Sequence, residues 1–419
     1  MTAPALRQLV TVLRGCIRGG NHLRALRLLV TNLERTNGDF GLRPYVAEVL
    51  QEMGRTREAA EILEVLVRHF TNSGSPLRAV VTAHRLASFE PDVGSHFDHI
   101  AAVYGLGSPF LDYEESLAPV AATDIEYDLQ GAEPDLPLEA LAEAAYEAAI
   151  HKEGFANSPD AVPPIPLLSS FDVRALRKLL ESLETRTFAD GEILLGPNTP
   201  ALTPTWIAAG EVAARSEDGS VAIAPPGSLF GHASLNARED ASEPPKLEAR
   251  GPVEAVSIPE ATVAAMRVDA RMAPVIEAFQ TACAVDRALN TTTLFTSVPL
   301  EERPILLDMM TPCSVPDETM VIREGQKHKG VYVVLDGRVD INRKDGEWDV
   351  TIKTLGAGDV LGEISAFTDG QAIASAITDG PTRLLYMSQS NISAVGKLYP
   401  GVLEEMRSFA ARRLLGNDD

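Results

Sequence analysis

The sequence predicts a multidomain protein: an all-α region of helical repeats at the N-terminus, then two β-roll (jelly-roll) domains with flanking helices. Three observations predict this. Small and aliphatic residues recur at a period of 34 near the N-terminus, the C-terminal two-thirds repeats itself at an offset of 127, and within each copy apolar and polar residues alternate around glycine turns. With 419 residues, 45% of them hydrophobic, the chain can build several domains with cores of their own.

The helical region spans 1–105. Gly20, Ala25, Leu28 and Leu29 are matched 34 residues on by Gly54, Ala59, Ile62 and Leu63. Each glycine suits a turn, and each alanine stands early in the following helix, where a small side chain lets two helices approach closely. Beyond this the phase slips: Leu77–Phe89 predicts another helix, ended by Glu90-Pro91-Asp92, and His96–Tyr104 a last one, about six in all. The period and this residue pattern, above all VAEVLQEMGRTREAAEILEVL at 46–66, resemble the tetratricopeptide repeat. That resemblance implies a protein-binding concave face and no chemistry of its own.

Residues 106–165 differ in composition. The formal net charge of the chain is −22, but the first 105 residues hold 12 Arg and 10 acids, which is +2. The next 60 hold 13 acids and one base, Lys152, which is −12, and the remaining 24 bases and 36 acids give a further −12. Prolines and few aliphatics make this stretch read as a solvated acidic linker, or as a docking segment for a basic partner. Only 138–150 (LEALAEAAYEAAI) has the Ala and Leu content of a helix.

The duplication fills 166–289 and 290–419. Leu179-Leu180 falls on Leu306-Leu307, Asp190 on Asp317, Gly210 on Gly337, and the hairpin signal Asp218-Gly219 on Asp345-Gly346. Past that hairpin the offset becomes 131, so that Gly227 meets Gly358 and Gly231 meets Gly362. The stretches 261–288 and 392–415 predict the closing helices.

The runs MVIREGQKHKGVYVVLDGRVDINR and GAGDVLGEISAFTDGQ resemble the cyclic nucleotide-binding domain of catabolite-activator transcription factors and of kinase regulatory subunits. The resemblance is specific in the second copy and weaker in the first, and the tandem layout is shared with the kinase subunits. It implies a pocket for cAMP or cGMP, in which a Gly-Glu pair binds the ribose hydroxyl, backbone N–H groups face the cyclic phosphate, and an Arg about ten residues on neutralises it. In the second copy Gly362, Glu363, Ile364 and Ser365 match this cassette, and Ser375 matches the Ser or Thr after the Arg. The Arg itself is absent: Gln371–Thr378 contains no basic residue. The first copy keeps Gly231, but His232 replaces the Glu, and Lys246 is the one cation near the phosphate position.

Other classes are excluded or disfavoured. A charge of −22 opposes nucleic acid and anionic lipid as partners. Cys16, Cys283 and Cys313 show neither disulfide nor zinc spacing, and no stretch of 18 apolar residues could span a membrane. No nucleophile elbow, P-loop or His-x-His metal pattern occurs, so neither catalysis nor a metal site is expected. The expectation is a cytoplasmic, bacterial-type signalling protein that is not an enzyme, with a protein partner on the repeats or the acidic segment. The alternative is a ligand-free scaffold whose two rolls serve only protein contacts.

Overall fold

The computed structural model describes all residues but 1–3, 37–38, 91, 113–125, 152, 197–198, 200–201, 216–220, 236–245, 296, 300–301, 304–305, 307–308, 328–329, 346–347, 368–370 and 415–419. It divides into two units, 1–276 and 277–419.

The first unit opens with α1 (Pro4–Arg18), α2 (His22–Arg35), α3 (Arg43–Glu52), α4 (Thr56–Asn72), α5 (Pro76–Leu86) and α6 (Gly94–Tyr104). Successive helices pack on one another through Ala25, Leu28 and Leu29 of α2 and Ala59, Ile62 and Leu63 of α4, all fully buried. Gly20 and Gly54 hold the turns between helices at positive φ (67° and 82°), where other residues are strained.

The acidic segment is packed onto the helices through its own helix. Its helix α7 (Leu138–Ile150) buries Leu141, Ala142, Ala145 and Ala149, one stripe, against α2, α3 and α4. Arg43, 1% exposed, donates to the carbonyls of Ala149 and His151 at 3.0 and 3.1 Å, so a buried guanidinium caps the C-terminal end of α7. Phe40 and Phe155 lie against that guanidinium, 4.2 and 4.7 Å from its carbon to their centroids. Burial pulls the Arg43 pKa down to about 10. Beside it His69 stacks on Phe40, and its Nδ1 accepts from the Ala156 amide at 3.1 Å. Burial and the nearby Arg43 and Arg78 push the His69 pKa down to about 4, so the ring stays neutral and can accept. Composition alone misses this packing because the groups that receive the segment lie on other helices.

After α8 (Val173–Ser182) come β1 (Glu184–Phe188), β2 (Ile193–Leu195), β3 (Thr205–Arg215), β4 (Val221–Ala224), β5 (Leu229–Phe230) and β6 (Lys246–Ser257). They form a six-stranded antiparallel sheet in the order β1-β6-β3-β4, with β2 on β6 and β5 on β3. Phe188, Ile207, Val212, Leu247 and Val253 fill its core. Two helices follow, α9 (Glu260–Val268) and α10 (Ala273–Thr291), where the sequence suggests one continuous helix. Pro274 accounts for the break, since a proline is tolerated in a first helical turn and disrupts an interior one.

Within this unit the helices are tied to the roll by charge. Arg7 and Arg14, two turns apart on α1, reach Glu211 on β3 at 2.6 Å and Glu254 on β6 at 2.9 Å. Arg85 of α5 also reaches Glu254 at 2.9 Å. Glu211 is 2% exposed. Burial opposes ionisation of Glu254, but Arg85, Arg14 and Arg78 outweigh it and hold the carboxyl below its usual range.

The second unit begins within α10. Its strands are β7 (Thr311–Val315), β8 (Met320–Ile322), β9 (Gly330–Asp345), β10 (Trp348–Leu355), β11 (Val360–Leu361) and β12 (Ser375–Ser388). They form a second six-stranded antiparallel sheet in the order β10-β9-β12-β7. Gly337, at φ 89°, sits at a register break between β9 and β12, and a Cβ there would lie 2.7 Å from Thr382 Oγ1. The bulge switches the alternation: Val331, Val333 and Leu335 face one core, and Val339 faces the other. Gly210 occupies a like break between β3 and β6. The helices are α11 (Glu363–Phe367), α12 (Gln389–Leu398) and α13 (Pro400–Leu414). Pro400 again splits what the sequence suggests is one closing helix. No helix among the described residues is long and apolar enough to cross a membrane.

Removing one partner of a buried ion pair strands the others, at about 3 kcal/mol. Glu254→Ala is therefore expected to destabilise the first unit by about that amount in urea denaturation. An unchanged midpoint would show that the cluster contributes nothing.

Candidate functional site

The cassette of the second roll is built on the turn between β11 and α11. Gly362 takes φ 88°, and the chain enters α11 at Glu363. The Glu363 side chain is 1% exposed, and its Oε1 lies 2.8 Å from Nη1 of Arg413 on α13. The same nitrogen donates to the Val360 carbonyl, next to the cassette. A single guanidinium thus joins the predicted ribose-binding carboxylate to the last helix. Ser365, 4% exposed, donates through Oγ to the Gly362 carbonyl at 3.0 Å, and Ile364 is half-buried beside it.

Ser375 has a different employment. It opens β12 opposite Asn342, and its Oγ accepts from the Glu324 amide at 3.0 Å. The amide of Gly325 donates to Ala372 and that of Ala372 to Gln326, so residues 371–375 lace this turn to the start of β12. The described part of Gln371–Thr378 forms backbone pairs and contributes no cation; residues 368–370 lie outside the described residues.

In the first roll Gly231, at φ 70°, leads into a short 3₁₀ turn, His232–Leu235. A Cβ at Gly231 would lie 2.2 Å from the Thr203 carbonyl oxygen. His232 is half-buried. Lys246 does not join this turn: it begins β6 opposite Arg215, and its Nζ lies 3.6 Å from Glu248 on its own strand. Strand pairing explains the difference, because β6 runs from Lys246 and carries its side chain out to 46% exposure. Residues 236–245, which would complete this cassette, lie outside the described residues.

Sequence reasoning did not find Arg413 or Arg267. Arg267 of α9 donates from Nε to the Ser234 carbonyl at 2.7 Å, so in each roll a guanidinium from a trailing helix holds the cassette turn. The two do not occupy matching positions under either offset. The one available signal was an arginine pair, Arg412-Arg413, at the end of the closing helix. A cavity of about 630 Å³ lies elsewhere in the second unit, between α10, β7 and β12. Its walls include Val285, Leu289, Met310 and Leu385, and none of the cassette residues. Among the described residues no group of three His, Cys, Asp or Glu could hold a metal ion.

Arg413→Ala would leave the buried Glu363 carboxylate without its guanidinium, and is expected to lower the stability of the second unit by about 3 kcal/mol in urea denaturation. The double variant Glu363→Gln with Arg413→Met should recover much of that loss. Equal losses in both variants would show that the two side chains are not coupled.

The chain is 28% identical over 122 residues to the cyclic AMP receptor protein of Thermus thermophilus, covering 29% of this chain and 56% of that one. It is 26% identical over 132 residues to the CRP-like cAMP-activated global transcriptional regulator of Mycobacterium tuberculosis, covering 31% and 58%. The chain thus spans just over half the length of these curated relatives. Among solved structures, the catabolite activator protein of Thermus thermophilus matches at 27% identity, over 29% of this chain and 58% of that one, with a TM-score of 0.28. The regulatory domain of Toxoplasma gondii PKA with cAMP matches at 17% identity, over 59% and 92%, with a TM-score of 0.28. Residues 312–397, from β7 to the end of α12, match the family model of the cyclic nucleotide-binding domain, so the chain carries one domain of that family in its second roll.

Proposed function

We propose that the protein is a non-catalytic regulatory protein whose second roll responds to a cyclic nucleotide. The first roll, on this reading, is a structural body, and the helical region, with its likeness to tetratricopeptide repeats, is the surface for a protein partner. The observation that carries the proposal is the Glu363–Arg413 pair. A ribose hydroxyl that hydrogen-bonds Glu363 shares or competes for the carboxylate that holds Arg413, so ligand binding changes the free energy of docking α13. A ligand shifts a conformational equilibrium only through such a difference in contact.

The missing cassette arginine sets the expected strength. An anion without its guanidinium loses a charge-assisted hydrogen bond, about 1.5–3 kcal/mol, which weakens affinity by one to two decades. The same absence favours a second reading, in which both rolls are ligand-free and the whole chain is a scaffold.

Titration of the full chain with cAMP and with cGMP, by calorimetry and thermal shift, separates the two. The regulatory reading expects micromolar to millimolar binding, with stabilisation of about 2.7 kcal/mol at 100 times the Kd. Glu363→Ala should abolish the response. No heat and no shift with either nucleotide at millimolar concentration would overturn this reading and leave the scaffold.

A further inference from the structure

The extended stretch 126–137 lies along α2 and is held mainly by its backbone. Asn32, fully buried, makes a two-pronged contact: its Nδ2 donates to the Asp128 carbonyl at 2.9 Å, and its Oδ1 accepts from the Asp128 amide at 2.7 Å. Arg24 donates to the carbonyls of Gln130 and Leu129 at 3.2 and 3.3 Å, and Thr31 to that of Glu133 at 2.9 Å. Arg27 pairs with the Asp135 carboxylate at 2.7 Å. Within the stretch only Tyr127 and Gly131 are buried. Tyr127 donates to Asp39 at 3.2 Å. Gly131 passes so close to α2, at φ 63°, that a Cβ would lie 2.9 Å from Leu28 Cγ.

This is how a protein grips a peptide rather than how it builds a core. Four residues of one helix satisfy main-chain groups and one carboxylate, while most side chains of the stretch face solvent. The charges complement one another: residues 126–137 hold four acids and no base, and α2 holds Arg24, Arg27 and Arg35 against Glu34. We infer that this face of α2 is a binding site for an extended acidic peptide of a partner protein, and that residues 126–137 occupy it in cis. Asn32, Arg24 and Thr31 recognise the peptide backbone, Arg27 an acidic side chain, and Leu28 demands a glycine where the chain crosses it.

The inference rests on the reading of the helical region as a partner surface, and not on the nucleotide reading of the second roll. A cis segment competes at an effective concentration of about millimolar. A peptide whose intrinsic Kd is about 100 μM is then weakened about tenfold, and releasing the segment restores its affinity.

The test uses the full chain and a fluorescein-labelled peptide, EYDLQGAEPDLP, in fluorescence anisotropy. Gly131→Ala in the protein, which drives a Cβ into Leu28, should release the segment and tighten peptide binding about tenfold over the unaltered chain. Tyr127→Ser removes the other buried contact and serves if the first variant does not fold. Adding Asn32→Leu to either variant should abolish binding. Equal binding by the unaltered and released chains, or binding that survives Asn32→Leu, would overturn the site. Either result leaves the nucleotide titration of the second roll as it stands.

Discussion

A buried carboxylate, Glu254, is the contact on which the first unit depends. It lies on the central strand pair of the first roll and takes guanidinium groups from two helices, Arg14 on α1 and Arg85 on α5. Desolvation makes such a group costly alone, and two cations at 2.9 Å reverse the balance. Arg7 repeats the contact at Glu211 one strand away. The helices and the roll of this unit are therefore joined through largely buried, charge-compensated groups.

The two rolls share a strand plan and divide in chemistry at their cassettes. Both bend a long strand at a glycine, Gly210 or Gly337, and both receive an arginine from a trailing helix. In the first roll that arginine, Arg267, donates to the Ser234 backbone carbonyl. In the second, Arg413 meets the carboxylate of Glu363.

The β architecture was legible in the sequence because it rests on local signals: alternation, positive-φ glycines and a repeat of both. The turn at Gly362 was legible for the same reason. The ion pairs were not, since Arg14 and Glu254 are 240 residues apart and Arg413 and Glu363 are 50 apart. Neither partner shows any local sign of the other. The helix at 138–150 was legible from its Ala and Leu content, but the packing of the acidic segment was not, for a related reason. Its prolines and acids carry the composition of a solvated chain, while Asn32, Arg24 and Arg43, which hold it down, belong to distant helices. The helix breaks at Pro274 and Pro400 could have been placed from sequence.

The proposed ligand response belongs to the second roll, with the first held to its helices. Hydrogen–deuterium exchange of the full chain, with and without saturating cAMP or cGMP, tests it most directly. Changed protection is expected at residues 360–367 and on α13, with the strands of the first roll and α1 unchanged. Changed protection around 231–235 and 205–215, with none at 360–367, would contradict it.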